Sequence, residues 1–459
     1  MQEVPVVKNE KYIVDIIDNG FSGEGIAKVN GFTVFIPKAI KGEKCEVLIV
    51  KVLSSHAYGK ILNLIKESEE RKNPDCTTYQ RCGGCDLRHM KYESTLNLKR
   101  NIVQNLINRG LKEKLTVEQT IGMSTPYNYR NKAQYPVGLD KDGNPVIGVF
   151  AKMSHTIIPI EDCKIQTEIS QRIAKTILEF IKENNIEVYN EKTGNGIFRH
   201  IVIKVGKYTE EIMCILVLNK TGFREEQELV KLLTMKFPEI KTIVKNINTK
   251  NTNVILGEKN INVYGNGYIE DKLGEYVFKI SPMSFYQVNP VQAEVLYNTA
   301  IEAAKLNIQD ILFDLYCGIG TIGIFASKFV KKVYGIEIVP QAIEDAKENA
   351  KINKITNAEF IVGDVEFAFD ELVNKKEIKP TAIIVDPPRK GLDDKTIQNI
   401  LKLKTEKVVY VSCNPATMVR DLAKMKEKYK IEKIQPVDMF PFTRHVECVA
   451  VLSLENTIQ

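Results

Sequence analysis

The sequence predicts a multi-domain chain: an N-terminal OB-like β-barrel, a central α+β domain carrying a cysteine cluster, and a C-terminal α/β domain on a Rossmann-like, doubly wound parallel sheet. Three observations predict it. Short alternations of apolar and polar residues, broken by Gly-containing turns, fill residues 8–66, the pattern of half-buried strands in a small barrel. Beyond about residue 280, strand-like runs alternate regularly with helical stretches, which specifies a parallel sheet covered on both faces. Finally, 459 residues exceed what one hydrophobic core organises. The boundaries drawn on these grounds are 1–66, 67–275 and 276–459.

Composition narrows the function classes. With 44% hydrophobic and 27% charged residues and no low-complexity tract, the chain reads as globular. A net charge of +6 permits a polyanionic partner without demanding one. The first twenty residues lack a secretory apolar core, and no apolar run reaches the ~18 residues of a membrane span. A cytoplasmic location without membrane association is therefore expected. Nine cysteines in such a chain argue for metal-binding or catalytic thiols, and an odd number cannot all pair.

In the barrel, Tyr12-Ile13-Val14-Asp15-Ile16-Ile17 and Phe32-Thr33-Val34-Phe35-Ile36-Pro37 are the clearest strands. The strings Gly20-Phe21-Ser22-Gly23-Glu24-Gly25-Ile26-Ala27 and Val34-Phe35-Ile36-Pro37 resemble the TRAM domain of RNA-modifying enzymes. Barrels of this kind offer a curved face to oligonucleotides. Cys76, Cys82 and Cys85 follow, with Cys163 as a fourth candidate ligand. Residues 95–110 form an amphipathic pattern ending near Gly110, a helix placed to pack on the C-terminal domain. Between about 120 and 275, strands such as 201–205 and 211–218 mix with a helix at 169–183.

In the C-terminal domain the predicted strands are 311–317, 332–338, 358–364, 381–386 and 407–413, then 430–438 and 446–453 as an antiparallel pair. The first runs into Cys317-Gly318-Ile319-Gly320-Thr321-Ile322-Gly323, where missing side chains let backbone amides approach a ligand. Glu337 ends the next strand, placed to accept hydrogen bonds from ribose hydroxyls. These two features suit a dinucleotide or S-adenosylmethionine equally. Asp364 ends the third strand, and Asp386-Pro387-Pro388-Arg389 ends the fourth. The latter resembles the substrate-side motif of base methyltransferases, as the terminal antiparallel pair resembles their last strands.

The fifth strand leads to Cys413-Asn414-Pro415. Pro415 is suited to open a helix and Asn414 to cap it, so the helix dipole is expected to favour the Cys413 thiolate. Uracil C5 attacks a methyl sulfonium poorly until a thiolate adds to C6 and converts the ring to an enolate. Afterwards the C5 proton must leave so that the cysteine can be eliminated, and a carboxylate is a suitable base. Glu447 is the candidate.

Together these segments resemble the RNA uracil-C5 methyltransferase family along nearly the whole chain. Ser281-Pro282-Met283-Ser284-Phe285-Tyr286-Gln287-Val288-Asn289 resembles its S-P-x-S-F-x-Q-x-N element, and Asp314-Leu315-Tyr316-Cys317-Gly318-Ile319-Gly320 its glycine loop. The resemblance implies S-adenosyl-L-methionine as donor, with Gln287, Tyr316, Glu337 and Asp386 binding it, and Cys413 and Glu447 as the catalytic pair. It also implies a [4Fe-4S] cluster on Cys76, Cys82, Cys85 and Cys163, a choice over zinc that spacing alone leaves open. Cys45, Cys214, Cys317 and Cys448 read as packing residues, and His445 as a positioning group beside Glu447.

The expected substrate is a uridine in a single-stranded RNA loop, because C6 and the methyl donor need opposite faces of one ring. By resemblance, the joined TRAM and cysteine modules favour 23S rRNA, with tRNA as the alternative, and a monomer is expected. A radical methylthiotransferase would need C-x3-C-x2-C, which is absent. A DNA cytosine methyltransferase would carry Pro-Cys where this chain has Ser412-Cys413. In a non-catalytic RNA-binding protein, Cys413 and Glu447 would have no reason to be present together.

Overall fold

The computed structural model describes residues 4–455 except 113 and 153. Lys11–Asp15 pairs with Lys44–Val52. After a bend the same segment continues as Asp18–Asn19, which pairs with Gly25–Val29. One bent strand thus joins both ends of a six-stranded order and closes the barrel. Alternate inward residues, Val14, Ala27, Val34, Cys45, Val47 and Ala57, fill it.

The central sheet has seven strands, in the order Lys259–Tyr264, Ile240–Ile247, Ile212–Leu218, Phe198–Val205, Lys132–Leu139, Pro145–Phe150, Ile157–Pro159. Helices Glu168–Glu183 and Glu226–Lys236 share a core with one face, where Cys214 is buried. The opposite face, through Val202, Met213, Ile215, Val217 and Val244, packs into the core of the C-terminal domain.

That domain also has a seven-stranded sheet, in the order Ala358–Val362, Lys332–Glu337, Ile311–Leu315, Ala382–Val385, Lys407–Ser412, Glu447–Leu454, Tyr429–Val437. The first five are parallel and the last two antiparallel, as the sequence predicts. Continuous apolar runs such as Ala382–Val385, buried at every position, belong to strands covered on both faces.

Three pieces that lie wholly or partly outside residues 276–459 complete this domain. The hairpin of Ile269–Leu273 with Tyr276–Ile280 places Ile269, Leu273, Phe278 and Ile280 in the C-terminal core. The expected boundary at 275 therefore falls in the turn of one hairpin. Helix Tyr92–Gly110 contributes Val103 and Ile107 to the other side of the sheet. Its end lies so close to helix Pro415–Met425 that a Cβ on Gly110 would sit 2.3 Å from Val419. Residues 118–121 then run along Tyr429–Val437, with Glu118 N–H bonded to Ile434 O and Ile121 N–H to Pro436 O. No helix among the described residues is long and apolar enough to cross a membrane.

Candidate active site

Strand order reverses between Ile311–Leu315 and Ala382–Val385, which pair with Leu315 opposite Val385. The loops that follow them, from Tyr316 and from Asp386, leave the same edge on either side of that switch. In open α/β sheets this is where ligands bind.

Tyr316, Gly318 and Gly320 adopt φ of +66°, +54° and +80°. At Gly320 the glycine is required, since a Cβ would also meet the Phe360 ring at 2.8 Å. The Gly318 N–H reaches one Glu337 oxygen at 3.3 Å, and the other accepts the Val339 N–H at 3.0 Å. Glu337 is thereby fixed against the glycine loop. Tyr316 holds a conformation costing a non-glycine residue about 1–3 kcal/mol, and its side chain lies beside Thr396 of helix Asp394–Leu403. Thr321 Oγ1 donates to the hydroxyl of buried Tyr297 at 3.4 Å, and Gln287 lies beside the same hydroxyl.

Beneath the loop lies Asp314, fully buried. Its Oδ2 accepts the Gly323 N–H at 2.8 Å, while Oδ1 has no partner among the described residues. Burial, together with the charges of Asp386 and Glu337, raises its carboxyl to about 8. Sequence reasoning did not single out Asp314. The signal was the one charged residue inside the apolar run Ile-Leu-Phe-Asp-Leu. Three carboxylates, Asp314, Glu337 and Asp386, around one crevice, with an orphaned buried oxygen, suit a cofactor carrying sulfonium and ammonium charge, so the residues fit the expected donor.

Asn414 caps helix Pro415–Met425 by accepting the Ala416 N–H at 3.2 Å. Its amide also donates to Arg389 O at 3.0 Å, and Thr417 Oγ1 donates to the same carbonyl at 3.2 Å. The Asp386-Pro387-Pro388-Arg389 loop is thus bound to the turn bearing Cys413. Across the sheet, Ser412 is paired in register with Cys448, so Cys413 and Glu447 are neighbours one position beyond. Burial, then Glu447 and Asp386, push the Cys413 thiol up to about 11, against the lowering effect of Arg389. The helix terminus was expected to favour thiolate, but in the free chain burial and two carboxylates outweigh it. Glu447 is buried; burial and Asp386 raise it to about 8, again opposed by Arg389. Burial alone raises Asp386 to about 7. His445 is lowered to about 4 by burial and by Arg389 and Arg444, and is neutral at pH 7.

Asp364 caps the short helix Val365–Ala368, accepting the Phe367 N–H at 2.8 Å. Cys45, Cys214, Cys317 and Cys448 are buried.

Cys76, Cys82, Cys85 and Cys163 share one neighbourhood. Burial raises the Cys85 thiol to about 12, and Cys163, Cys82 and Cys76 add to the rise. The Gly84 N–H donates to Cys82 Sγ at 3.2 Å. Yet among the described residues no three His, Cys, Asp or Glu side chains converge as a metal site, so the ligand set implied by the sequence is not formed ready-made.

Compared with known proteins, residues 91–455 match the family described as tRNA (uracil-5-)-methyltransferase, and residues 5–62 match the TRAM domain. The chain belongs to the tRNA (uracil-5-)-methyltransferase family. An uncharacterized RNA methyltransferase of Clostridium acetobutylicum is 46% identical over 453 residues, 98% of each chain. Another, from Halalkalibacterium halodurans, is 43% identical over 457 residues, 99% of each. Among solved structures, the tRNA (uracil-54, C5)-methyltransferase of Pyrococcus abyssi, in complex with S-adenosyl-L-homocysteine, is 28% identical. It superposes with a TM-score of 0.76 over 96% of this chain and 100% of its own. The match to the uracil-5-methyltransferase family begins at residue 91, at the helix that completes the catalytic sheet.

Proposed function

We propose that the chain transfers a methyl group from S-adenosyl-L-methionine to C5 of a specific uridine in RNA, with 23S rRNA the favoured target. The observation that carries this reading is the pairing of Ser412 with Cys448, which sets a thiol and a buried carboxylate side by side next to the crevice. Cys413 and Glu447, both mostly protonated at neutral pH in the free chain, first lose their protons to solvent; the Cys413 thiolate then adds to C6, and the ring electrons move onto O4 as an enolate. The donor supplies an electrophilic methyl group, which C5 takes up as the methyl–sulfur bond breaks and S-adenosyl-L-homocysteine leaves. Glu447 then accepts the C5 proton, the double bond re-forms, and the Cys413 thiolate leaves. Gln287, Tyr316, Glu337 and Asp386 are the residues proposed to hold the donor.

The rRNA target is favoured by the resemblance of joined TRAM and cysteine modules. The tRNA reading is supported by the Pyrococcus abyssi enzyme, whose whole length superposes on this chain. One experiment separates them: incubate the protein with labelled donor and total RNA from a strain lacking the gene, then map the label. 5-Methyluridine in 23S rRNA is expected; in tRNA it would move the target, and a methyl at any position but uracil C5 would remove the reading. RNA with 5-fluorouridine at the target should trap an adduct, and equal trapping by Cys413→Ala would remove the nucleophile.

We also propose Cys76, Cys82, Cys85 and Cys163 as the ligands of a [4Fe-4S] cluster, zinc being the lesser alternative. Their shared neighbourhood and the Gly84 N–H on Cys82 support it. Iron and acid-labile sulfide in anaerobically purified protein, lost on Cys85→Ser, is the expected result. Zinc in their place would change the group.

A further inference from the structure

The segment 438–447 holds no helix or strand until Glu447 itself, so its shape is imposed by its neighbours. Asp438 accepts from Tyr92 Oη at 2.8 Å and from Lys99. The Met439 carbonyl accepts from Asn289 Nδ2 at 3.0 Å, and the Pro441 carbonyl from Tyr129 Oη at 3.1 Å. The anchor nearest Glu447 comes from the cysteine loop. Asp86 and Leu87, directly after Cys85, both donate their N–H groups to the Phe442 carbonyl, at 3.0 and 2.9 Å. The Asp86 carboxylate accepts the Arg444 N–H at 3.3 Å and is itself held by Lys152 at 3.1 Å.

Phe442 is the distorted point of the segment. Its φ is +62°, a conformation that a bulky residue keeps only when its surroundings over-determine it. Its ring is fully buried. The Arg88 guanidinium lies 4.4 Å from the ring centroid and the Lys72 ammonium 4.9 Å from it. The rings of Tyr92 and Tyr127 close the sides at 5.5 and 5.8 Å. Leu87 and Arg88 thus grip Phe442 by backbone and ring together, and Asp86 fixes Arg444 beyond it.

We infer that the 85–88 segment of the cysteine loop is a positioning element for Glu447, acting through Phe442 and Arg444. The inference rests on Glu447 being the base of the proposed reaction. It predicts a specific defect: damage to this grip should impair the step performed by Glu447 more than the step performed by Cys413. Phe442→Leu removes the ring that Arg88 and Lys72 face. Asp86→Ala leaves that packing in place and removes the hold on Arg444 together with the exposed Lys152 ion pair, so it serves where the first variant melts early.

Both full-length variants, the wild type and Glu447→Gln would be incubated with donor and total RNA from a strain lacking the gene. Methyl transfer should fall about tenfold or more, as sub-ångström misplacement of a reacting group does. A denaturation-resistant protein–RNA adduct should accumulate, as in Glu447→Gln, with donor affinity within about twofold of wild type. Adduct in Glu447→Gln but none in the two variants overturns the positioning role alone, as does unchanged turnover. No adduct in Glu447→Gln overturns the base assignment and this inference with it.

Discussion

After burial, the charge that most raises the Cys413 thiol is the carboxylate of Glu447. Replacing Glu447 with Gln keeps the shape and removes that charge, so the Cys413 pKa should fall from about 11. Alkylation of Cys413 by iodoacetamide at pH 9 should accelerate severalfold in Glu447→Gln, read by mass spectrometry of the peptide. An unchanged rate would mean that the two groups are not electrostatically coupled.

Donor binding should release protons. Asp314, Asp386 and Glu447 titrate at about 8, 7 and 8, well above the ordinary value of about 4. Between those limits the folded chain binds protons that the unfolded chain has lost, so stability should fall as pH rises through that range. A bound cation favours the ionised forms and opposes the loss. S-adenosylmethionine should therefore raise Tm more at pH 9 than at pH 6, and its binding enthalpy should depend on the buffer. An equal rise at both pH values would contradict this.

Lys204 links the central sheet to the loop bearing Gln287. Its buried ammonium donates to the carbonyls of Ser281 and Ser284 at 2.8 and 3.1 Å, and Ser284 in turn donates to Asp345 at 2.7 Å. Lys204→Met would leave two carbonyls unpaired, at about 1–3 kcal/mol each. Donor affinity should weaken about tenfold with the far-ultraviolet circular dichroism unchanged; affinity equal to wild type would show that the loop holds itself.

Lys99 and Asp438 form a fully buried ion pair. Removing one partner of such a pair strands a charge and costs about 3–5 kcal/mol. Asp438→Ala and Lys99→Met should each lower the urea midpoint, and the double variant should lose less than the sum of the two. Additive losses would argue that each residue acts through its other contacts.

Much of the catalytic sheet is legible in the sequence because buried parallel strands are continuous apolar runs and their ends carry the chemistry. Ser412-Cys413-Asn414-Pro415 announces a strand, a turn and a capped helix, and all three are present. The domain boundary is less legible. Hairpin Ile269–Ile280 carries Glu270 and Lys272 like the antiparallel strands before it, and only tertiary packing assigns it to the later core. The Cys413 environment is opaque for the same reason: its local helix favours thiolate, while the opposing charges come from positions 386 and 447. The positive φ at Tyr316 and Phe442 carries no sequence signal, since neither is Gly or Asn.

Helix Tyr92–Gly110 is seated against strand Tyr429–Val437 and helix Pro415–Met425, partners encoded more than 300 residues later. A ribosome adding about 5–20 residues per second leaves Val103 and Ile107 without those partners for tens of seconds. The barrel closes from local strands and can be complete long before. The nascent chain therefore carries a finished N-terminal barrel beside an unfinished catalytic half, with the apolar stripe of one helix open to a chaperone until the last strands emerge.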